Sequence, residues 1–282
     1  MSNRALLCLA WIAIAATGTA FAQSKPNPMR PDPNMPRPIA ARNTVWIEEM
    51  TWLEVRDAMK AGKKSILIAT GGVEQNGPYL AAGKHNYILK VTCEAIARKL
   101  GDTLVAPIVA FVPEGNFDPP TDHMLYPSSI SVREETYERL LTDIAESFRT
   151  HGFEHIFLIG DSGGNTKGMT AVAAALTRKW GAGKTRIHHV AEYYDYPGVK
   201  KWLETQGIQQ TDEGIHDDYA ISAQMMAADP NSVRMKERMA AGKFSINGVS
   251  LAPPEKTIAM GKRIAEYRAE ITAAAIRKTR GK

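Results

Sequence analysis

Glu74 and His85 are the residues in this chain best placed to do chemistry. They lie in Val73-Glu74-Gln75-Asn76-Gly77-Pro78-Tyr79-Leu80 and in Gly83-Lys84-His85-Asn86, a Gly/Pro-rich stretch behind the apolar run Ser65–Thr70. A carboxylate and an imidazole just past a buried strand could be two ligands of one metal ion, an acid/base pair, or unrelated loop residues. A hydrolytic metal site needs about three protein ligands, so further donors must come from elsewhere. Gly160-Asp161-Ser162-Gly163-Gly164-Asn165 sits at a strand-to-helix turn and fits the nucleophile pattern G-x-S-x-G. Ser162, Asp195 and His216 would then form a triad, with the Gly163 and Gly164 amides holding an oxyanion. A tight turn that needs glycines reads the same way. His216 opens Gly214-Ile215-His216-Asp217-Asp218-Tyr219 as a proton carrier or a ligand. Asp217 and Asp218 also suit the positive end of a helix. Asp118, Asp122 and His123 fall in a long loop, where they either rim a pocket or serve as surface polarity. His151, His155, His188 and His189 read as structural.

The elements that must position these residues alternate in type. Apolar runs at Ser65–Thr70, Leu104–Val109 and His155–Gly160 read as strands, with a fourth at Arg186–Ala191. Thr51 and Glu54 form a capping box for a first helix, and Ser131 with Glu134 forms another for a helix to about His151. Helical spacing covers Asn86–Leu100 up to Gly101, Thr166–Trp180, and stretches near 215–228 and 254–278. The pattern predicts an α/β fold, a mostly parallel sheet with helices on both faces. In such sheets the chemistry sits past the carboxyl ends of the strands. The loop 114–129 is long enough to be functional.

Residues 1–22 read as a signal peptide: Arg4, an apolar run from Ala5, then Ala20-Phe21-Ala22 before Gln23. The run is too short for a stable membrane span, and export to the periplasm or beyond is expected. Residues 23–45 form a Pro-rich linker, leaving 46–282 as the folded domain. Cys93 is the one cysteine outside the signal, so a hydrophobic core rather than a disulfide must hold the domain. The net charge of +5 is scattered, which excludes the concentrated basic stripe of a nucleic-acid binder.

Across most of residues 48–278 the ordered motifs resemble the creatininase (creatinine amidohydrolase) family. They are Thr51–Val55, Glu74–Leu80, Gly83–Asn86, Pro127–Arg133, Arg149–Phe153, Ser162–Asn165 and Gly214–His216. The resemblance implies a hydrolase of an amide or related C–N bond in a small molecule, a homo-oligomer (hexamers are common in the family), and a zinc or manganese centre. Several ligand positions of the family are exchanged. Asn76 stands where a second ligand is usual, His85 where a bridging aspartate is, and Ser162 where a histidine is. An imidazole that keeps one proton cannot bridge two ions. The resemblance therefore implies a remodelled centre with one divalent ion or none. Glu74, His85 and Asp161 or Asp217 would be ligands, His216 the proton carrier, and Gly163, Gly164, Asn165 and Asn76 the substrate or oxyanion contacts. A Ser162/His216 esterase or amidase and a non-catalytic small-molecule-binding protein are the alternatives.

Overall fold

The computed structural model describes residues 29–281, so the expected signal segment lies outside them. The chain divides into two compact units between Pro38 and Ile39, and the second holds every regular element of the described residues. Within that unit the expected linker is already tied down before residue 46. The Arg42 N–H donates to Glu54 Oε1, and the Val45 carbonyl accepts from Val105 N–H at 2.8 Å.

Four strands make one parallel sheet: β1 (Ser65–Thr70), β2 (Thr103–Val105), β3 (His155–Gly160) and β4 (Arg186–His189), in the order β2-β1-β3-β4. β1 and β3 are central and pair in register from Ser65–His155 to Thr70–Gly160. Their continuous apolar runs follow from burial on both faces. Ile66, Ile68, Ile156 and Leu158 face α3 (Glu134–Thr150) and α4 (Asn165–Trp180). Leu67, Ala69, Phe157 and Ile159 face α2 (Lys84–Leu100) and α8 (Pro254–Thr279). β2 is shorter than its apolar run because Pro107 has no N–H for the ladder; Val109 rejoins β1 only through a bridge to Thr70.

The Thr51 capping box forms at the head of α1 (Trp52–Lys60). The Ser131 box does not. Its hydroxyl accepts from the Glu114 N–H and donates to the Gly115 carbonyl, both at 2.9 Å, and the residue ahead of α3, Arg133, gives it no side-chain cap. Ser131 thus fixes the loop carrying Glu114. Two helices appear that periodicity did not indicate, α5 (Tyr196–Thr205) and α7 (Met235–Ala240). A hairpin of β5 (Ser245–Ile246) and β6 (Val249–Ser250) turns at Asn247-Gly248, both with positive φ as a two-residue turn requires.

α6 (Tyr219–Ala228) packs on α8 so closely that a methyl group at Gly261 would overlap the Ala223 carbonyl oxygen. These two helices carry or adjoin His216 and Arg268. Gly261→Ala is therefore expected to cost about 1–3 kcal/mol through forced separation of the helices, read as a lower urea midpoint. An unchanged midpoint would show that the helices yield freely.

Candidate active site

The loops past the carboxyl ends of all four strands converge on one cavity of about 250 Å³. β1 leads to Glu74, β2 to His123, β3 to Asp161 and Ser162, and β4 to Tyr194 and Tyr196. The start of α2 supplies Lys84 and His85, and the approach to α6 supplies His216.

Glu74 is the hub. Its side chain is 2% exposed. Oε1 meets Lys84 Nζ at 3.0 Å and His85 Nε2 at 2.9 Å, with His216 Nδ1 at 3.7 Å. Oε2 meets His123 Nε2 at 3.2 Å. Burial works against the charge of Glu74. The His85 hydrogen bond and the His85 and Lys84 charges outweigh it and hold the carboxyl far below its ordinary range. Burial and the adjacent Glu74 carboxylate push Glu114 the other way, up to about 9, so it is a neutral acid at neutral pH.

His85 spans two carboxylates, with Nε2 on Glu74 and Nδ1 on Asp161 Oδ2, both at 2.9 Å. Burial disfavours its charge, but the hydrogen bonds to Asp161 and Glu74 prevail and raise its pKa. With a carboxylate oxygen 2.9 Å from each nitrogen, neither nitrogen is free to face an ion in this arrangement. Asp161, fully buried, is enclosed by further donors: Arg268 at 2.7 Å, the Tyr193 hydroxyl at 3.1 Å and the Tyr196 hydroxyl at 3.2 Å. Its carboxyl is held low, against burial, first by the Arg268 charge and then by His85.

The other sequence-predicted residues divide between cavity and scaffold. Ser162, Gly163 and Gly164 line the cavity. No hydrogen bond joins Ser162 to His216 among the described residues, and Asp195 instead caps α5 by accepting from the Gly198 N–H at 2.9 Å. Asn165 is fully buried; its amide group donates to the Thr70 and Gly71 carbonyls at 3.1 and 2.9 Å, tying β1 to α4. Asn76 donates to the Glu74 and Ala81 carbonyls at 2.9 and 3.0 Å and so pins the loop. Asp217 lines a neighbouring cavity of about 300 Å³, where burial pushes its carboxyl up to about 7. His216 borders both cavities.

Sequence reasoning gave no site role to Lys84 or Arg268, and left His123 as either pocket rim or surface polarity. Only His123 carried a signal, as an imidazole in a long loop. Its ring packs against His216 with centroids 4.7 Å apart. Glu74, His123 and His216 offer ligand atoms within 4.8 Å of one another.

The creatininase (creatinine amidohydrolase) family model matches residues 48–275. The chain belongs to the creatininase family. Among solved structures it is similar to a manganese creatininase, at 19% identity and a TM-score of 0.61, covering 84% of this chain and 98% of that one. A mutant creatininase of zinc–zinc type matches at 19% identity and a TM-score of 0.60, covering 84% and 99%. Another mutant, complexed with creatine, matches at 19% identity and a TM-score of 0.59, covering 84% and 98%. No curated protein matches by sequence. Among the described residues, no helix of this creatininase-family chain is long and apolar enough to cross a membrane.

One divalent ion suits the donors present. A carboxylate with two imidazoles is an established zinc ligand set. His216 is prepared for it, because burial, and then the Lys84 charge, lower its pKa. Its Nδ1–H donates to the Gln75 carbonyl at 3.0 Å, leaving Nε2 as the basic nitrogen. The remaining candidates are committed: His85 and Asp161 to each other and to their partners, Asn76 to its loop.

Proposed function

We propose that this chain is a hydrolase of an amide or related C–N bond in a small molecule, with a single zinc or manganese ion held by Glu74, His123 and His216. The observation that carries the reading is the convergence of these three side chains in the strand-end cavity. An ion bound there supplies Lewis-acid polarisation and a hydrolytic nucleophile at neutral pH. The protein supplies the rest. Lys84 and His85 keep Glu74 ionised, and the Gln75 carbonyl fixes the His216 tautomer. Ser162 and the Gly163-Gly164 turn border the space a substrate would fill. The cavity of about 250 Å³ lies just below the usual range for drug-sized ligands and favours a compact substrate.

The purified chain is expected to hold one ion by elemental analysis. Chelation should abolish turnover of a cyclic-amide panel, and added Mn²⁺ or Zn²⁺ should restore it. Turnover that survives complete removal of metal would refute the reading. Export and oligomeric assembly belong to the same proposal. N-terminal sequencing of protein from a periplasmic fraction, starting at Gln23, supports export; an intact Met1 opposes it. Light scattering reads the assembly.

A further inference from the structure

Cleavage of an amide needs a proton on the departing nitrogen, because an amine leaves readily and its anion does not. The cavity wall offers few protons for this step. Glu74, His123 and His216 are the ion's ligands in the proposed function, and the His216 Nδ1–H is held by the Gln75 carbonyl. Lys84 and His85 are what keep Glu74 ionised, and His85 is also held by Asp161. The Tyr196 hydroxyl donates to Asp161 at 3.2 Å. Among the described residues lining the cavity, Ser162 and Tyr194 keep a hydroxyl proton that no carboxylate or carbonyl oxygen of the protein accepts.

Tyr194 is the stronger acid of the two. A phenol has an ordinary pKa of about 10, and tyrosine, unlike serine, is among the usual general acids. Tyr194 lies just past β4, its side chain reaching the cavity and its residue surface 41% exposed. Its ring packs edge-on against the Tyr196 ring, with centroids 5.1 Å apart. The Ser162–Asn165 turn comes close to its hydroxyl: a Cβ on Gly163 would stand 3.3 Å from the Tyr194 oxygen. The Gly163 N–H is directed at that oxygen, and a donor there favours the phenolate as the proton leaves. Burial, and then the Asp161 charge, raise the pKa, so the hydroxyl carries its proton at neutral pH.

We propose that Tyr194 is a further catalytic residue, the acid that protonates the leaving nitrogen. The inference rests on the amide-hydrolase reading and names the proton donor that reading lacks. A compact substrate filling a cavity of about 250 Å³ touches both the three ligand side chains and Tyr194. The oxygen of water adds to the carbonyl carbon. The C–N bond breaks with its electron pair on nitrogen, and that nitrogen takes the Tyr194 proton. The phenolate, faced by the Gly163 N–H, regains a proton from the water that added. Amide and water thus become acid and amine, with Tyr194 restored.

Tyr194→Phe removes the hydroxyl and keeps the ring. The test compares a cyclic amide that the wild type turns over with the thiolactone of the same ring. A thiol of pKa about 8.5 departs as thiolate and needs no proton. The variant is expected to lower kcat on the amide about 10²–10⁴-fold, the usual worth of general acid–base catalysis, and to lower it less than about 10-fold on the thiolactone. KM for the amide and the number of bound ions should stay as in the wild type. Equal losses on both substrates, a change confined to KM, or loss of the ion would make Tyr194 structural and overturn the proposal. A larger loss of amide kcat in Ser162→Ala than in Tyr194→Phe overturns it as well. A wild type that cleaves no amide sinks the hydrolase reading and this proposal together. An active wild type whose amide kcat survives Tyr194→Phe sinks this proposal alone.

Discussion

Arg268→Met is expected to destabilise the fold by about 3–5 kcal/mol, the usual cost of leaving a buried charge without its partner. Methionine keeps much of the arginine volume, so a cavity contributes little. What is lost is the 2.7 Å pair with Asp161, together with a donor to the Tyr193 carbonyl at 3.2 Å and another to Gln224 Oε1 at 3.2 Å. The guanidinium also packs over the Tyr193 ring at 4.3 Å. Asp161 remains fully buried. The loss should depend on pH with a definite sign. The folded carboxyl of Asp161 is depressed, against burial, by Arg268 and His85. Its stabilisation is therefore complete above the unfolded aspartate value of about 3.9 and disappears as pH falls through the lower folded value. Urea midpoints of wild type and variant should differ most near neutrality and converge in acid. A neutral-pH difference under about 1 kcal/mol, well short of a broken buried pair, would show that the pair is not what holds this region.

Glu74→Gln is the second large effect, and it falls on function. Outer partners of metal ligands cost about 10–100-fold in affinity when removed. Loss of one of only three ligands should exceed that, so the variant is expected to weaken ion binding more than about 100-fold and to lose turnover with it. Glutamine is nearly isosteric, but it leaves Lys84 and His85 facing an amide, so a fall in melting temperature should accompany the loss. Glu114→Gln is the matched control. Burial and the neighbouring Glu74 keep Glu114 a neutral acid, at about 9, so exchange for a neutral amide should change ion binding little at pH 7. Equal losses in the two variants would mean that packing near Glu74, rather than its charge, holds the ion.

The central strands were legible because burial on both faces leaves little but apolar residues at 65–70 and 155–160. The carboxylate hub and the strand-end loop were legible for a related reason, since chemistry in such sheets lies past the strand ends. What stayed hidden was burial of charge. Lys84 and Arg268 sit at helical spacing, where a basic side chain ordinarily faces water, and only tertiary contact shows both nearly sealed. His85 was readable as a site residue, but its use of both nitrogens depends on Asp161, which joins it across the fold. α5 did have a local signature, Asp195 followed by Pro197, but Gly198 interrupts the helical pattern. Ser131 matched a capping motif and was taken up by a loop instead, because the Glu114 N–H and Gly115 carbonyl lie within its reach.

The Asp161–Arg268 pair joins residues 107 positions apart in the chain. Such closures are formed late, because a long loop must be ordered before its contact repays the entropy. Until the C-terminal helix docks, Asp161 has no guanidinium, and the imidazole linking it to Glu74 lacks its anchor. During synthesis the strands and the loop bearing Glu74 emerge well before α8. The fold can thus begin without its reactive centre, and the electrostatic assembly of that centre waits for α8.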